Sequence, residues 1–456
     1  MIPVSRRMVW VLFAILFFSY AYVHQREYRA PTPVSRLDLL HAIFTHKTLN
    51  IDAYNNTGDR ASYNGHYWSD KAPGGSFVAL PGFALATGIW RLTGGSIESE
   101  SGWLFTSWVA SILSMGLITA AGGVFLFLLL REWAGERAAM LTTLALYLGA
   151  APFPYATQLF THGMTVGLVS MMLYWLKLHP VQDVPEVPGR NLVLAGLAAG
   201  LVMASEFTAG IVIYGIGLLV FSRGLRDALV FSAAALPMLA LIPLYSWLCF
   251  DSPFVIGYSH QASYPTMREG FFGIREPEFK TMVDLTLGPC RGLFFWTPFL
   301  LLILPGFNLV YPRNRAAFWL TFVAPCIQLI ILSGYFDWKA GYTLGPRYLA
   351  PCLPLLAIPA ALGAQKYPRL AIALAVASIL LTGGGTLITA APFFDEFPLL
   401  TQHWPKLLKG EYSYNLGSVL GVPAHLSVLL LAAVWIVVGI WLYRNASPST
   451  SDKPCA

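Results

Sequence analysis

The sequence predicts an all-α polytopic membrane protein, a bundle of about twelve spanning helices, on three observations. Of its 456 residues 56% are hydrophobic and 11% charged, whereas a soluble domain carries about 25% charged residues. Apolar runs close to the roughly 17–25 residues that cross a bilayer recur from end to end. The connections between alternate runs are basic, the pattern that fixes membrane topology.

The first run, 8–24, follows Arg6-Arg7. No small-x-small cleavage site accompanies it, so it reads as an uncleaved helix rather than a signal peptide. Further spans are predicted at 102–130, 138–153, 163–177, 191–207, 209–222, 228–250, 292–311, 316–334, 349–364, 369–388 and 424–443. With the N-terminus in the cytoplasm, the inner connections carry Arg131 and Arg137, Lys177 and Arg190, Arg223 and Arg226, Arg313 and Arg315, Lys366 and Arg369, and Arg444. Both termini are then cytoplasmic, in an inner or plasma membrane. The run 77–92 is nearly long enough to span. Pro81 and Arg91 weaken it, and a span there would turn every later basic loop outward. It therefore reads as a helix at the outer interface, with a thirteenth span as the alternative.

Residues 1–446 form one domain, and 447–456 read as a disordered cytoplasmic tail. The long extracytoplasmic loops are 25–101, 251–291, 335–348 and 389–423. Loops this long and this rich in aromatic and ionisable residues are usually functional. The net charge of +6 sits singly or in pairs between apolar runs, so no nucleic-acid partner is expected. No P-loop, dinucleotide glycine signature or HExxH is present, which argues against ATP or zinc hydrolysis. The five cysteines have no metal-ligand spacing. Cys249 and Cys290 flank one loop and admit a bridge, but five unpaired thiols are expected.

The chemistry gathers in the outer loops. The first contains Asp59-Arg-Ala-Ser-Tyr-Asn-Gly-His-Tyr-Trp-Ser-Asp-Lys-Ala-Pro-Gly74. Asp59 and Asp70 are candidate general bases, ahead of Asp52 and Asp38. Lys71 follows Asp70 and precedes an Ala-Pro-Gly turn that sets its direction; plain local ion pairing is the alternative. His66 and Tyr67 are candidate substrate contacts. In Trp338-Lys-Ala-Gly-Tyr-Thr-Leu-Gly-Pro-Arg-Tyr348 the Gly-Pro step holds Arg347 at a helix entry, where a guanidinium suits phosphate or carboxylate. Snorkelling to head groups is the competing explanation. Arg291 in Gly288-Pro-Cys-Arg-Gly-Leu-Phe is a second phosphate candidate. His162 either contacts a ligand or caps a helix. Glu206, at a helix end, is either functional or paired with an arginine. Asp395, Glu396 and His403 read as solvated.

These segments resemble the GT-C superfamily of membrane glycosyltransferases. The first-loop motif, read as Gly65-His-Tyr67 and Asp70-Lys-Ala-Pro-Gly74 before an apolar interfacial helix, is similar to a Gly-x-x-Tyr-x-x-Lys-Pro-Pro step. That step occurs in bacterial relatives of protein O-mannosyltransferases and of the lipid A aminoarabinose transferase. Arg291-Gly-Leu-Phe and Gly345-Pro-Arg-Tyr348 add to the likeness, which runs from residue 6 to about 443 in scattered motifs. It implies a GT-C-like fold and transfer of a sugar from a polyprenyl-phosphate donor to a glycan, lipid or protein acceptor, with inversion and an aspartate base, among membrane lipids. Lys71 would approach the carrier phosphate, with Arg347 and Arg291 sharing its charge. A divalent cation, Mg or Mn, is used by some similar enzymes. The chain departs from the pattern at one place: such transferases carry an Asp-Glu or Asp-Asp pair soon after the first span, and here Pro31-Thr-Pro-Val-Ser-Arg-Leu-Asp38 has none. A transporter or flippase of a lipid-linked or anionic substrate, and an accessory protein that keeps the fold without the chemistry, are the rival readings.

Overall fold

The computed structural model describes residues 5–24, 30–180, 186–393 and 395–447; the predicted tail lies outside them from 448 onward. The chain is mostly helical. Helices α1 (Arg6–Tyr22) and α2 (Pro31–His41) come first. Strands β1 (Arg60–Tyr63) and β2 (His66–Ser69) follow, then α3 (Gly74–Leu92). The bundle continues with α4 (Glu100–Gly149), α5 (Thr161–Trp175), α6 (Gly189–Ser205), α7 (Phe207–Phe221) and α8 (Leu225–Phe250). After α9 (Phe279–Thr286) come α10 (Pro298–Val310), α11 (Arg315–Ser333), α12 (Arg347–Lys366), α13 (Pro368–Ile388) and α14 (Ala424–Asn445).

Six described helices, α4, α8 and α11 to α14, are long and apolar enough to cross a membrane, and α6, α7 and α10 are shorter apolar helices. Every predicted span coincides with a helix. The spans 102–130 and 138–153 are one helical run, with a π turn at Ile112–Gly116 and a break at Gly135 (φ 76°, ψ 169°). That break falls inside the predicted basic connection, because glycine alone adopts such a φ without cost. The segment 77–92, expected at the outer interface, lies within helix α3, which packs along α4.

Burial separates centre from rim. The most apolar stretch of α12 is 94% buried, whereas those of α8 and α14 are 17% buried. Rim side chains such as Leu236, Trp247, Leu429 and Val437 point outward. An apolar exterior is what a helix needs when lipid is its solvent. Small residues let the central helices close in. A Cβ on Gly122 of α4 would overlap the backbone of Gly167 in α5, and one on Gly306 of α10 would overlap the Pro359 carbonyl of α12.

The one sheet among the described residues is the hairpin β1–β2, in register Arg60↔Ser69 to Tyr63↔His66. Its two-residue turn is Asn64-Gly65, both at positive φ (51° and 81°), the conformation that hairpin twist favours. An all-helical expectation missed it. Gly257 packs its backbone on Asp70, and Ala61 bridges Gln261, so the 251–291 loop closes over the hairpin. Cys249 and Cys290 are free thiols, and the bridge that their positions admitted is not formed. His403, expected to be solvated, is buried, with its ring 5.7 Å from that of Trp296.

Candidate functional site

A cavity of about 230 Å³ opens at the end of the bundle that carries the long loops. Its walls come from the start of α2, the hairpin flanks, the ends of α5 and α6, and the loops before α9 and α12. Of the residues singled out in the sequence, Asp59, Lys71, His162, Glu206 and Arg347 line it.

Lys71 is the hub of one wall. Its Nζ lies 3.0 Å from Asp59 Oδ2 and 3.3 Å from Asp70 Oδ1, with the ring of Tyr258 5.3 Å away. Thr32 Oγ1 donates to Asp59 Oδ2 (2.7 Å), and the Asp59 amide donates to Thr57 Oγ1 (3.1 Å). Gln261 Nε2 donates to Asp70 Oδ2 at 2.9 Å. Burial pushes the Asp59 carboxyl up, but Lys71 and the Thr32 hydroxyl outweigh it and hold the group below its ordinary range. Burial is less well opposed at Asp70, which is raised to about 6. For Lys71, burial favours the neutral amine, yet the two carboxylates overcome it and leave the ammonium firmly charged.

Two buried guanidiniums face this wall. Arg36, 3% exposed, donates Nη2 to Thr161 Oγ1 (3.2 Å) and to the Ser205 carbonyl (3.4 Å). Its Nε and Nη1 have no partner. Arg347 donates Nη2 to Tyr348 Oη at 2.8 Å and lies 5.4 Å over the ring of Phe160, with its Nε unpartnered. Buried donors are nearly always bonded, and these N–H groups have capacity left for a further acceptor. Glu206 is occupied by Thr161 and Thr208 (3.1 and 2.8 Å). His162 Nε2 stands 3.3 Å from Glu206 Oε2 but is not aligned to share a proton with it.

Other candidates are placed elsewhere. His66 is on the exposed hairpin tip, 2.6 Å from Asp52, and Tyr67 packs under the Arg60 guanidinium at 4.2 Å; neither lines the cavity. Asp70 stands behind Lys71 rather than on the wall. Arg291 is fully buried, and its donors go to carbonyls: Nε to Lys339 (2.6 Å), Nη1 to Cys290 (3.1 Å) and Nη2 to Gly341 (2.7 Å). It clamps the 335–348 loop and is not free for phosphate. Arg36 was missed by sequence reasoning. The signal was a lone arginine one turn into a helix opened by Pro-Thr-Pro, a segment read only for the carboxylates it lacks. Among the described residues no three His, Cys, Asp or Glu side chains stand together as metal ligands.

The fold is shared with solved structures. The chain matches ArnT from Cupriavidus metallidurans bound to undecaprenyl phosphate with a TM-score of 0.54 at 16% identity, covering 96% of this chain and 73% of that one. The apo state of the same protein matches at 0.51 and 17%, over 96% and 74% of the two chains. The Archaeoglobus fulgidus oligosaccharyltransferase in the apo form matches at 0.44 and 13%, over 82% and 54%. No protein-family model matches the chain, and no curated protein sequence does. The architecture is shared with ArnT, and with six described helices long and apolar enough to cross a bilayer the chain is a multi-pass membrane protein.

Proposed function

We propose that this protein is a membrane glycosyltransferase that takes a sugar from a polyprenyl-phosphate donor and passes it, with inversion, to an acceptor at the extracytoplasmic face of an inner or plasma membrane. The observation that carries this is the convergence of three cationic side chains, Lys71, Arg36 and Arg347, on one cavity, with both guanidiniums only partly hydrogen-bonded. Donors fixed in a dry site stabilise a phosphate as charge develops on it, without reorganising. ArnT, which shares the architecture, was crystallised with undecaprenyl phosphate. A transporter would place its ionisable groups near the bilayer midplane; here they gather at one end of the bundle.

In this reading the carrier phosphate enters between Arg36, Arg347 and Lys71. The acceptor hydroxyl attacks the anomeric carbon from the opposite side as the bond to the phosphate oxygen breaks. A wall carboxylate takes the acceptor proton. Asp59 is the one that the motif nominates, with Asp70 behind it. The test uses purified protein in nanodiscs, radiolabelled polyprenyl-phosphate sugars and a membrane extract as acceptor. Transfer by wild type, lost in Lys71→Ala and Arg36→Ala, is expected. A protein that binds carrier phosphate yet consumes no donor in the panel would return the reading to transport or an accessory role.

A further inference from the structure

Of the carboxylates on the cavity wall, all but one are engaged. Asp59 holds Lys71 and Thr32, and Glu206 holds Thr161 and Thr208. Asp337 lines the same cavity, yet among the described residues its carboxylate has no hydrogen bond and no cation within ion-pairing distance.

Its placement is nonetheless enforced. The turn that carries it is pinned on both sides. Phe336 donates its amide to the Gly273 carbonyl (3.1 Å), and Arg275 donates its amide to Gly334 (2.7 Å). Behind it, Ala340 donates its amide to the Asp337 carbonyl (2.9 Å), and Arg291 grips Lys339 and Gly341. A rigid loop thus presents one unpaired carboxylate to the wall cations.

We infer that Asp337 is the group that removes the acceptor proton, and that Asp59 instead holds Lys71 in place for the carrier phosphate. This rests on the transferase reading above. A carboxylate tied to an ammonium is a weak base, because the neighbouring positive charge stabilises its ionised form. Asp337 carries no such tie. Burial, opposed by Arg347, raises its carboxyl above the ordinary value, which moves it toward the working range of a general base. The step balances: the acceptor O–H bond breaks, its oxygen bonds the anomeric carbon, and the proton goes to Asp337. The polyprenyl phosphate leaves with the electron pair of the old bond.

The test is Asp337→Asn beside Asp59→Asn, full-length in nanodiscs, with two readouts. The first is donor turnover with the native acceptor extract and with added azide, a nucleophile that has no proton to lose. The second is binding of undecaprenyl phosphate. Asp337→Asn is expected to lose turnover by about 10²–10⁴-fold, to bind the carrier within about threefold of wild type, and to regain donor cleavage with azide. Asp59→Asn is expected to lose carrier binding and to gain nothing from azide. Azide rescue of Asp59→Asn alone, or full turnover in Asp337→Asn, overturns the assignment. So does a collapse of carrier binding in Asp337→Asn, which would mark a structural role. Donor untouched by wild type, with or without azide, sinks the transferase reading itself.

Discussion

Lys71 Nζ stands 3.0 Å from Asp59 Oδ2, and this pair joins the hairpin flank to the start of α3 at the cavity wall. Asp59 reaches it through Thr32 on α2 and Thr57 in the preceding loop. Removing the ammonium would leave two buried carboxylates facing each other. Lys71→Met is therefore expected to cost about 3–5 kcal/mol of stability, read as a fall in Tm, and to abolish carrier-phosphate binding. An unchanged Tm would show that water already compensates the carboxylates.

Arg291 predicts a different pattern from a phosphate ligand. Hydrogen bonds made by a charged donor contribute about 1.5–3 kcal/mol each, and this side chain makes three to carbonyls. Arg291→Lys keeps the charge but loses the fork. It is expected to loosen the 335–348 loop to limited proteolysis while carrier binding changes little. Loss of carrier binding with the loop still protected would restore the phosphate role expected of it.

Arg36 and Arg291 show how far the sequence reaches. The helices were legible because each apolar run has to bury its own backbone bonds, so length and hydropathy locate it. The cation-rich loops were legible because Asp70-Lys71 and Gly345-Pro346-Arg347 couple charge to turn residues. Whether a guanidinium is free or spent on carbonyls depends on partners 48 and 50 residues away, and no local pattern encodes that. Arg36 therefore went unnoticed, and Arg291 drew attention as a phosphate candidate although its donors are spent on carbonyls. Asp337 was hidden for the same reason, since its distinction lies in the partners it lacks.

The hairpin tip supplies a negative control. His66 pairs with Asp52 in solvent, and exposed pairs contribute about 0–1 kcal/mol. His66→Ala is expected to keep transfer within about threefold of wild type and to leave Tm nearly unchanged. A tenfold loss of turnover would place an acceptor over the hairpin and redraw the site.

Helix spacing gives a prediction independent of function. α10 and α12 touch where Gly306 meets the Pro359 carbonyl, a contact only a hydrogen side chain permits. Gly306→Ala must push the helices apart at the buried centre, and overpacking of this kind costs about 1–3 kcal/mol. The check is thermal unfolding in detergent. A variant as stable as wild type would mean that α10 shifts freely against α12.

The last prediction concerns pH. Asp38 is fully buried on α2, with Oδ2 unpartnered and Oδ1 accepting from Asn56 Nδ2 at 3.3 Å. Burial, only partly opposed by that bond, lifts its carboxyl to about 8, from about 3.9 in the unfolded chain. The folded state thus favours the neutral acid. Its contribution is fully present below about pH 4 and is lost as pH rises through about 8. The limiting slope is about 1.4 kcal/mol per pH unit. Asp38→Asn is neutral at every pH, so its stability should exceed that of wild type increasingly from pH 5 to about pH 8 and by a constant margin above it. Thermal midpoints of the two proteins in nanodiscs across that range decide it. Parallel curves would mean that Asp38 stays ionised in the fold, solvated by water that fills the space beside Oδ2.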